Sequence, residues 1–405
     1  NKRRDHKQRI YISYDSSNKN CNAGDIDLIE YGKAKDNKGI PIFNLAIAFD
    51  KTNRVPLFYE EYPGSITDVS QFVHMVDKVT EYGYKKVGFI LDRGYFSKDN
   101  IRYMEEGGYA FVIMVKGRKA LVSSLVEENR GTFETERDHS IRAYHVYGKT
   151  VKARLYEDDT QDRYFHLYFN PSKHAAERER LELTLDRFKI YMDKHIGDVV
   201  TSSKACQEYF TLKYDKAGHL VGYSERKDVI KRELDLCGYF CIVTSEEMTA
   251  SQALIHYKGR DVSEKLFSTD KSFIGSKSMR VQTTQALSAK IFVEFIALIV
   301  RNRMYNLLKE TMLRLETKPN YMTVPAALRE LEKIEMVRRG NGHYRLDHAV
   351  TKKQKTILSA FGLSDTDVKS IAIEIGSQLS GNQTPTDKAP EEDDDYGEDT
   401  FTIID

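Results

Sequence analysis

The chain has 405 residues, 40% of them hydrophobic and 30% charged, with a formal net charge of +1. That size fits a core with an insertion, or two domains, and the composition is that of a soluble globular protein rather than a fibrous or disulfide-stapled one. The most apolar stretch, residues 291–300, falls short of the ~18 residues of a membrane span and is bounded by Lys290 and Arg301, so it reads as a buried helix and no membrane partner is expected.

The chain opens Asn1-Lys2-Arg3-Arg4 rather than with Met, so a segment upstream is expected. Residues 9–15 alternate, with Ile10, Ile12 and Tyr14 on one face, and predict a strand that ends in an acid. Residues 16–39 are polar and contain glycine, and read as a loop. Residues 40–49 and 55–62 predict two strands joined by the turn Asp50-Lys51-Thr52-Asn53. Helical spacing of Phe72, Val76 and Val79 predicts a helix over 68–82, which Thr67 or Asp68 can cap. A buried strand at 87–91 meets a turn at Asp92-Arg93-Gly94. A helix over 97–107, capped by Ser97 and closed by Gly107, precedes a strand at 109–115.

Between 120 and 235 the texture changes. A hairpin is expected over 144–156 around Gly148-Lys149, then a strand at 164–169. A charged helix follows at 172–195, with Leu181, Leu185, Phe188 and Met192 on one stripe. A second hairpin turns at Lys216-Ala217-Gly218. The first pattern returns with a strand at 238–244 and a helix opened by a capping box, Thr249 with Gln252 three residues on. Helices are expected at 279–314, 323–336 and 351–361. Beyond Ser380 the chain is polar and acidic, and disorder is expected. Residues 387–405 hold nine acids and one lysine, which leaves the rest of the chain near +9. A basic body suits a nucleic-acid partner, although solvated lysines give the same balance.

The four cysteines, Cys21, Cys206, Cys237 and Cys241, are too few for a disulfide framework. Cys237 and Cys241 lack a second ligand pair at zinc spacing and read as small apolar residues near a strand. A reducing, cytoplasmic setting follows.

Three meandering strands, alternating helices and strands, an insertion and a returning helix predict an α/β fold. The expected form is a ribonuclease H-like mixed sheet interrupted by an inserted α+β, β-rich domain, with a helical C-terminal region. The expected divisions are 1–119 and 236–314 for the core, 120–235 for the insertion, 315–380 for the helical region and 381–405 for the tail.

Open sheets bind ligands at the carboxyl ends of strands, where Asp15 and Asp92 are both predicted. Two carboxylates brought together repel, and a hard divalent cation relieves the repulsion. Taken singly, each aspartate reads first as a turn residue or a helix cap. On the helix that starts after Thr249, Tyr257, Arg260, Glu264 and Lys271 fall within about 60° of one another if the helix runs that far. Such a stripe makes an odd core face and a sensible DNA-facing one, with Glu264 as a metal ligand and Arg260 and Lys271 on phosphates. An amphipathic outer face would account for the mixed charge but not for the spacing.

Tyr257-x2-Arg260-x3-Glu264-x6-Lys271 resembles the Tyr-Arg-Glu-Lys signature of the insertion-sequence-four superfamily of DDE transposases. Tyr14-Asp15-Ser16-Ser17 is similar to that family's first-aspartate strand. Tyr31-Gly32-Lys33-Ala34-Lys35-Asp36 is similar to its basic loop, and Leu91-Asp92-Arg93-Gly94-Tyr95-Phe96-Ser97 to its second-aspartate block. Pro63-Gly64-Ser65-Ile66-Thr67-Asp68 resembles its Gly-Asn-Thr-Ser-Asp turn, with Ser65 where Asn is usual. The long gap between Asp92 and Glu264 also fits, since members carry a β-rich insertion there.

The resemblance implies a catalytic triad of Asp15, Asp92 and Glu264 holding two Mg²⁺ or Mn²⁺ ions per site. It implies double-stranded DNA partners, the terminal inverted repeats and the target, and a homodimer in the synaptic complex. Metal-activated water would cut one strand, and the freed 3′-hydroxyl would attack the other strand, through a hairpin in some relatives, and then target DNA. The setting implied is cytoplasmic and nucleoid-associated. Arg93, Lys33 and Lys35 are further DNA-contact candidates, each equally readable as a solvated or paired charge. Tyr95 and Phe96 read as core residues before they read as wedges into a base step, and His256 receives no role. Relatives usually carry an end-recognition domain before the first aspartate, where this chain has fourteen residues, so an excised piece or a decayed gene is expected. Three rival readings remain: a binding-only, decayed or domesticated transposase, another ribonuclease H-like nuclease without strand transfer, and an interaction scaffold, which only the acidic tail favours.

Overall fold

A computed structural model describes residues 9–35, 37–84, 86–116, 119–200, 203–260, 278–316, 322–340 and 342–380. The chain divides into two compact units, residues 1–299 and 300–405.

The first unit is organised by a ten-stranded mixed sheet. Its strands are β1 (Ile10–Cys21), β2 (Ile42–Asp50), β3 (Val55–Pro63), β4 (Val87–Leu91), β5 (Ala110–Met114), β6 (Ser140–Ile141), β7 (Val146–Ala153), β8 (Arg163–Phe169), β11 (Tyr239–Thr244) and β12 (Ser278–Met279). The order is β3-β2-β1-β4-β5-β11-β8-β7-β6, with β12 paired to the far end of β1. The first three strands are antiparallel. β1, β4 and β5 run parallel, and β11 and β8 return antiparallel. This is the ribonuclease H-like mixed sheet that the order of elements predicts.

The pleat sends alternate residues of β1 to opposite faces. Ile10, Ile12 and Tyr14 join one apolar layer with α1 (Asp68–Glu81), α2 (Lys98–Glu106) and α3 (Lys119–Asn129). The other face packs against α7 (Ala250–Lys258) at one place, and against the first half of α8 (Thr284–Arg314) at another. Between β8 and β11 stand α4 (Pro171–Lys194), α5 (Lys204–Tyr209), β9 (Phe210–Tyr214), β10 (Leu220–Glu225) and α6 (Lys227–Leu236). They enclose a small core of their own around Leu185, Met192, Cys206 and Phe210. The predicted stripe of α4 faces that core, and Gly218 turns the β9–β10 hairpin at φ 89°.

The second unit contains the end of α8, α9 (Val324–Leu331), the hairpin of β13 (Met336–Arg338) and β14 (Tyr344–Leu346), α10 (Lys352–Ala360) and α11 (Asp365–Ser380). Leu308, Met312, Val324 and Ile357 form its core. Among the described residues no helix is long and apolar enough to cross a membrane.

Several local expectations change. β1 does not stop at Asp15 but runs to Cys21, through a stretch whose polarity reads as loop. Ser16, Ser17, Asn18, Lys19 and Asn20 are all buried. Their polar groups are satisfied locally: Asn18 bonds the backbone of Lys33 and Lys35 at 3.0 Å, Asn20 donates to Asn37 and Ile40, and Lys19 pairs with Glu294 at 2.8 Å. No hairpin forms over 144–156. β7 runs straight through Gly148-Lys149 and pairs with β8. Gly148 is there for space, because a Cβ would lie 2.9 Å from the Cβ of Ala250 on α7 and 3.0 Å from the Tyr168 ring. The helix expected over 323–336 ends at Leu331, and Met336 begins a strand. α11 falls within the C-terminal helical region expected over 315–380 and follows α10 after Gly362 at φ 76°. The acidic tail lies outside the described residues.

Candidate active site

β4 pairs with β1 only as far as Tyr14 and Leu91. One step beyond that last pair stand Asp15 on β1 and Asp92 at the end of β4. On both strands the residue before the acid belongs to the helix-α1 layer, so alternation turns both aspartates to the face that carries α7 and α8. β12 takes up the same edge of β1 only at Asn20 and Cys21. Asp15 therefore occupies a stretch of β1 where β4 has ended and β12 has not begun. The expectation that Asp15 closes its strand is corrected: the break in its neighbour's pairing, not the end of its own strand, exposes the position.

Asp92 opens a single 3-10 turn, Arg93–Tyr95. Tyr95 turns inward and is buried, edge-on to Tyr14 at 5.6 Å, and Phe96 packs on the same layer. Both are core residues. Arg93 is exposed beside the acid.

α7 begins with the predicted capping box, both bonds present. Its inner face, Ala250, Leu254 and Tyr257, packs on Ile90, Val112 and Ile242 of the sheet. That packing brings the Tyr257 hydroxyl to donate to Asp92 at 3.3 Å. Arg260 approaches the same carboxylate at 3.6 Å, with its guanidinium 5.5 Å from the Tyr257 ring. The expected continuous helical stripe is corrected in one respect: α7 ends at Lys258 with Gly259 as its cap, so Arg260 is set by the turn after the helix. Glu264 and Lys271 lie outside the described residues.

The basic loop comes to the site through the polar half of β1. Asn18 holds the backbone of Lys33 and Lys35, and the Lys35 ammonium donates to the Ser16 carbonyl at 2.9 Å. Lys33 is exposed on the same loop. Sequence reading proposed both lysines. It missed Asn18 and Asn20, the residues that place the loop; their spacing of two is the signal of one strand face.

Burial pushes the Asp15 carboxyl up to about 6, against the pull of Arg260, Lys35 and the Ser16 N–H; the Asp92 charge adds to the rise. Burial also raises the Tyr257 phenol well above its ordinary range, so at neutral pH it stays protonated and donates. Asp15 and Asp92 supply hard oxygen donors of the kind Mg²⁺ and Mn²⁺ prefer, and the raised Asp15 marks a carboxylate short of compensating positive charge. The pair fits a divalent cation. Among the described residues no cluster of three acidic, histidine or cysteine side chains is gathered.

A family profile described as "Transposase DDE domain" matches residues 19–300. The chain belongs to the DDE transposase domain family. The matched span starts just past Asp15 and contains Asp92, Tyr257, Arg260, Glu264 and Lys271. No match to a curated protein is significant. Among solved structures, the chain is similar to one described as "Cryo-EM structure of piggyBac transposase synaptic complex with hairpin DNA". The identity is 8% and the TM-score 0.36, over 96% of this chain and 60% of that chain. This chain thus spans less than two thirds of the length of that transposase.

Proposed function

We propose that this DDE domain is the catalytic part of a cut-and-paste DNA transposase of the insertion-sequence-four superfamily. The observation that carries the reading is the convergence of Asp15, Asp92, Tyr257 and Arg260 at one point of the sheet, from three separate elements. Asp15 and Asp92, with Glu264 as third acid, would hold the metal. Two divalent ions, when bound, activate water and stabilise the leaving oxygen of a phosphodiester.

The chain's own groups do the rest. Arg260 is held against Asp92 by its stack on Tyr257, so its fork of donors is preset to receive a phosphate. Tyr257 orients the Asp92 carboxylate through its hydroxyl. Lys33, Lys35 and Arg93 would offer positive charge to the DNA backbone, and the resemblance adds Lys271 to them. Hydrolysis frees a 3′-hydroxyl, and transesterification by that hydroxyl joins the element to target DNA. The partners are terminal inverted repeats and target DNA, with a homodimer as the working form. Of the segment 120–235 expected as an insertion, β6 to β8 belong to the central sheet; the part between β8 and β11, which folds around a core of its own, would be the part that contacts DNA ends.

The test is cleavage of labelled DNA bearing the element's terminal repeats, with Mg²⁺ or Mn²⁺ and with EDTA, by the wild-type chain and Glu264→Gln. Metal-dependent nicking at the element end, lost in the variant, is expected, with DNA binding retained. Binding without cutting by the wild-type chain would overturn the catalytic reading in favour of a binding-only protein. Cutting without strand transfer would favour a nuclease.

A further inference from the structure

We propose that Lys51, in the β2–β3 turn, is a positioning residue for this active site: its ammonium clamps the C-terminal carbonyls of α7 and so sets Tyr257 and Arg260 against Asp92. The inference rests on the catalytic reading above.

The two halves of the site reach it from different elements. Asp15 and Asp92 come from the sheet, whereas Tyr257 and Arg260 come from the end of α7 and the turn after it. α7 has only nine residues, too few to hold its last turn by helix propensity alone. Its N-terminus is fixed by the capping box, and its C-terminus needs a tie to the sheet.

Lys51 supplies it. The ammonium donates to the carbonyls of Ile255 at 3.0 Å and His256 at 3.2 Å, and stands 3.5 Å from His256 Nδ1. These are carbonyls of the last turn, where a helix carries partial negative charge and a cation is favoured. The turn that carries Lys51 is itself fastened to β1. Lys51 N–H donates to the Tyr11 carbonyl at 2.9 Å, and the Thr52 hydroxyl accepts from Tyr11 N–H at 3.3 Å. The strand bearing Asp15 and the helix end bearing Tyr257 are thus joined through one side chain.

The surroundings are shaped for this lysine. A Cβ on Gly259 would lie 2.2 Å from Lys51 Cε, so glycine at the cap leaves the room in which the stem lies, and a larger residue would displace the ammonium. Tyr11 packs its ring on His256 at 4.5 Å. Burial and the Lys51 charge hold the His256 imidazole down at about 4, which keeps it neutral and able to accept from the ammonium.

The experiment compares wild type, Lys51→Met, which keeps the stem and loses the cation, and Lys51→Arg, which keeps the cation. Hydrogen exchange of residues 255–260 in the free chain reads the clamp without any reaction. DNA-end cleavage reads its consequence, in a double-mutant cycle with Tyr257→Phe. Exchange in Lys51→Met is expected to rise by about tenfold or more. Cleavage should fall by roughly 10- to 100-fold, the scale of a small misplacement of a reacting group, with DNA affinity unchanged. Lys51→Arg should restore most of both, and in the Tyr257→Phe background Lys51→Met should add less than about threefold. If Met prevents folding, Lys51→Gln takes its place. Wild-type exchange in the variant, or cleavage losses that multiply, would overturn the inference. A wild-type chain that cuts no DNA would sink the catalytic reading while the exchange measurement still decides the clamp.

Discussion

Replacing Asp15 with asparagine should make the metal-free protein more stable at neutral pH while removing its activity. Folding raises this carboxyl from its ordinary 3.8 to about 6, which corresponds to about 3 kcal/mol between the two protonation states. A raised carboxyl binds its proton more tightly in the native chain than in the unfolded one. The stabilising contribution is fully present below about 4 and is lost as pH rises through about 6. Above that range, ionised Asp15 works against folding unless a cation sits beside it. Asparagine carries no charge and keeps the oxygen that accepts from Ser16 N–H at 2.9 Å. In EDTA at pH 7.5, Asp15→Asn is therefore expected to gain up to about 3 kcal/mol, on the order of 5 °C in melting temperature. At pH 4.5 the gain should shrink to about 1 kcal/mol. Differential scanning calorimetry at the two pH values measures both. Added Mg²⁺ should then raise the wild-type melting temperature and move the variant far less. A variant no more stable than wild type at pH 7.5, or an advantage that does not change with pH, would refute the view that burial strains this carboxylate.

Arg260→Lys keeps the charge and loses the fork, so cleavage should fall by about tenfold or more with a smaller loss of DNA affinity; equal rates would remove Arg260 from the phosphate site. Lys33→Ala with Lys35→Ala should flatten the dependence of DNA binding on salt by about one to two phosphate contacts, read from binding isotherms between 50 and 200 mM salt, roughly the range where such contacts separate. An unchanged slope would return both to the solvated loop. Lys19→Met leaves Glu294 buried beside an apolar stem, and urea denaturation should show a loss of about 3 kcal/mol. Gly148→Val drives a side chain into Ala250 and Tyr168, and should cost about 2 kcal/mol or more by the same measurement; a neutral result would mean α7 does not press on β7.

Much of the fold was legible because periodicity reports burial directly. The strands β2 to β5, the helices α1, α2, α4 and α7 and the capping box of α7 follow from apolar spacing and from Ser, Thr and Gln at helix starts. Three readings failed for a shared reason. The Ser16–Asn20 stretch, Gly148-Lys149 and residues 332–336 each carry residues whose local preference is for loops, turns or helix. In each case a distant segment overrides it: β2 and the 33–40 loop for the first, α7 for the second, the β13–β14 pairing for the third.

The sequence by itself determined the types of group in the site, since carboxylates, a tyrosine and an arginine at those spacings are properties of the chain. It also carried the family, which the matched domain establishes. Only the tertiary structure decided where the site lies and how it is tuned. That Asp15 sits inside a strand, opposite the end of β4, follows from strand register. The upward push on its carboxyl comes from burial between segments far apart in sequence. The tie of Lys51 to α7 spans 204 residues of chain. Register, burial and such ties are set by which surfaces meet, and no local pattern of residue types encodes that.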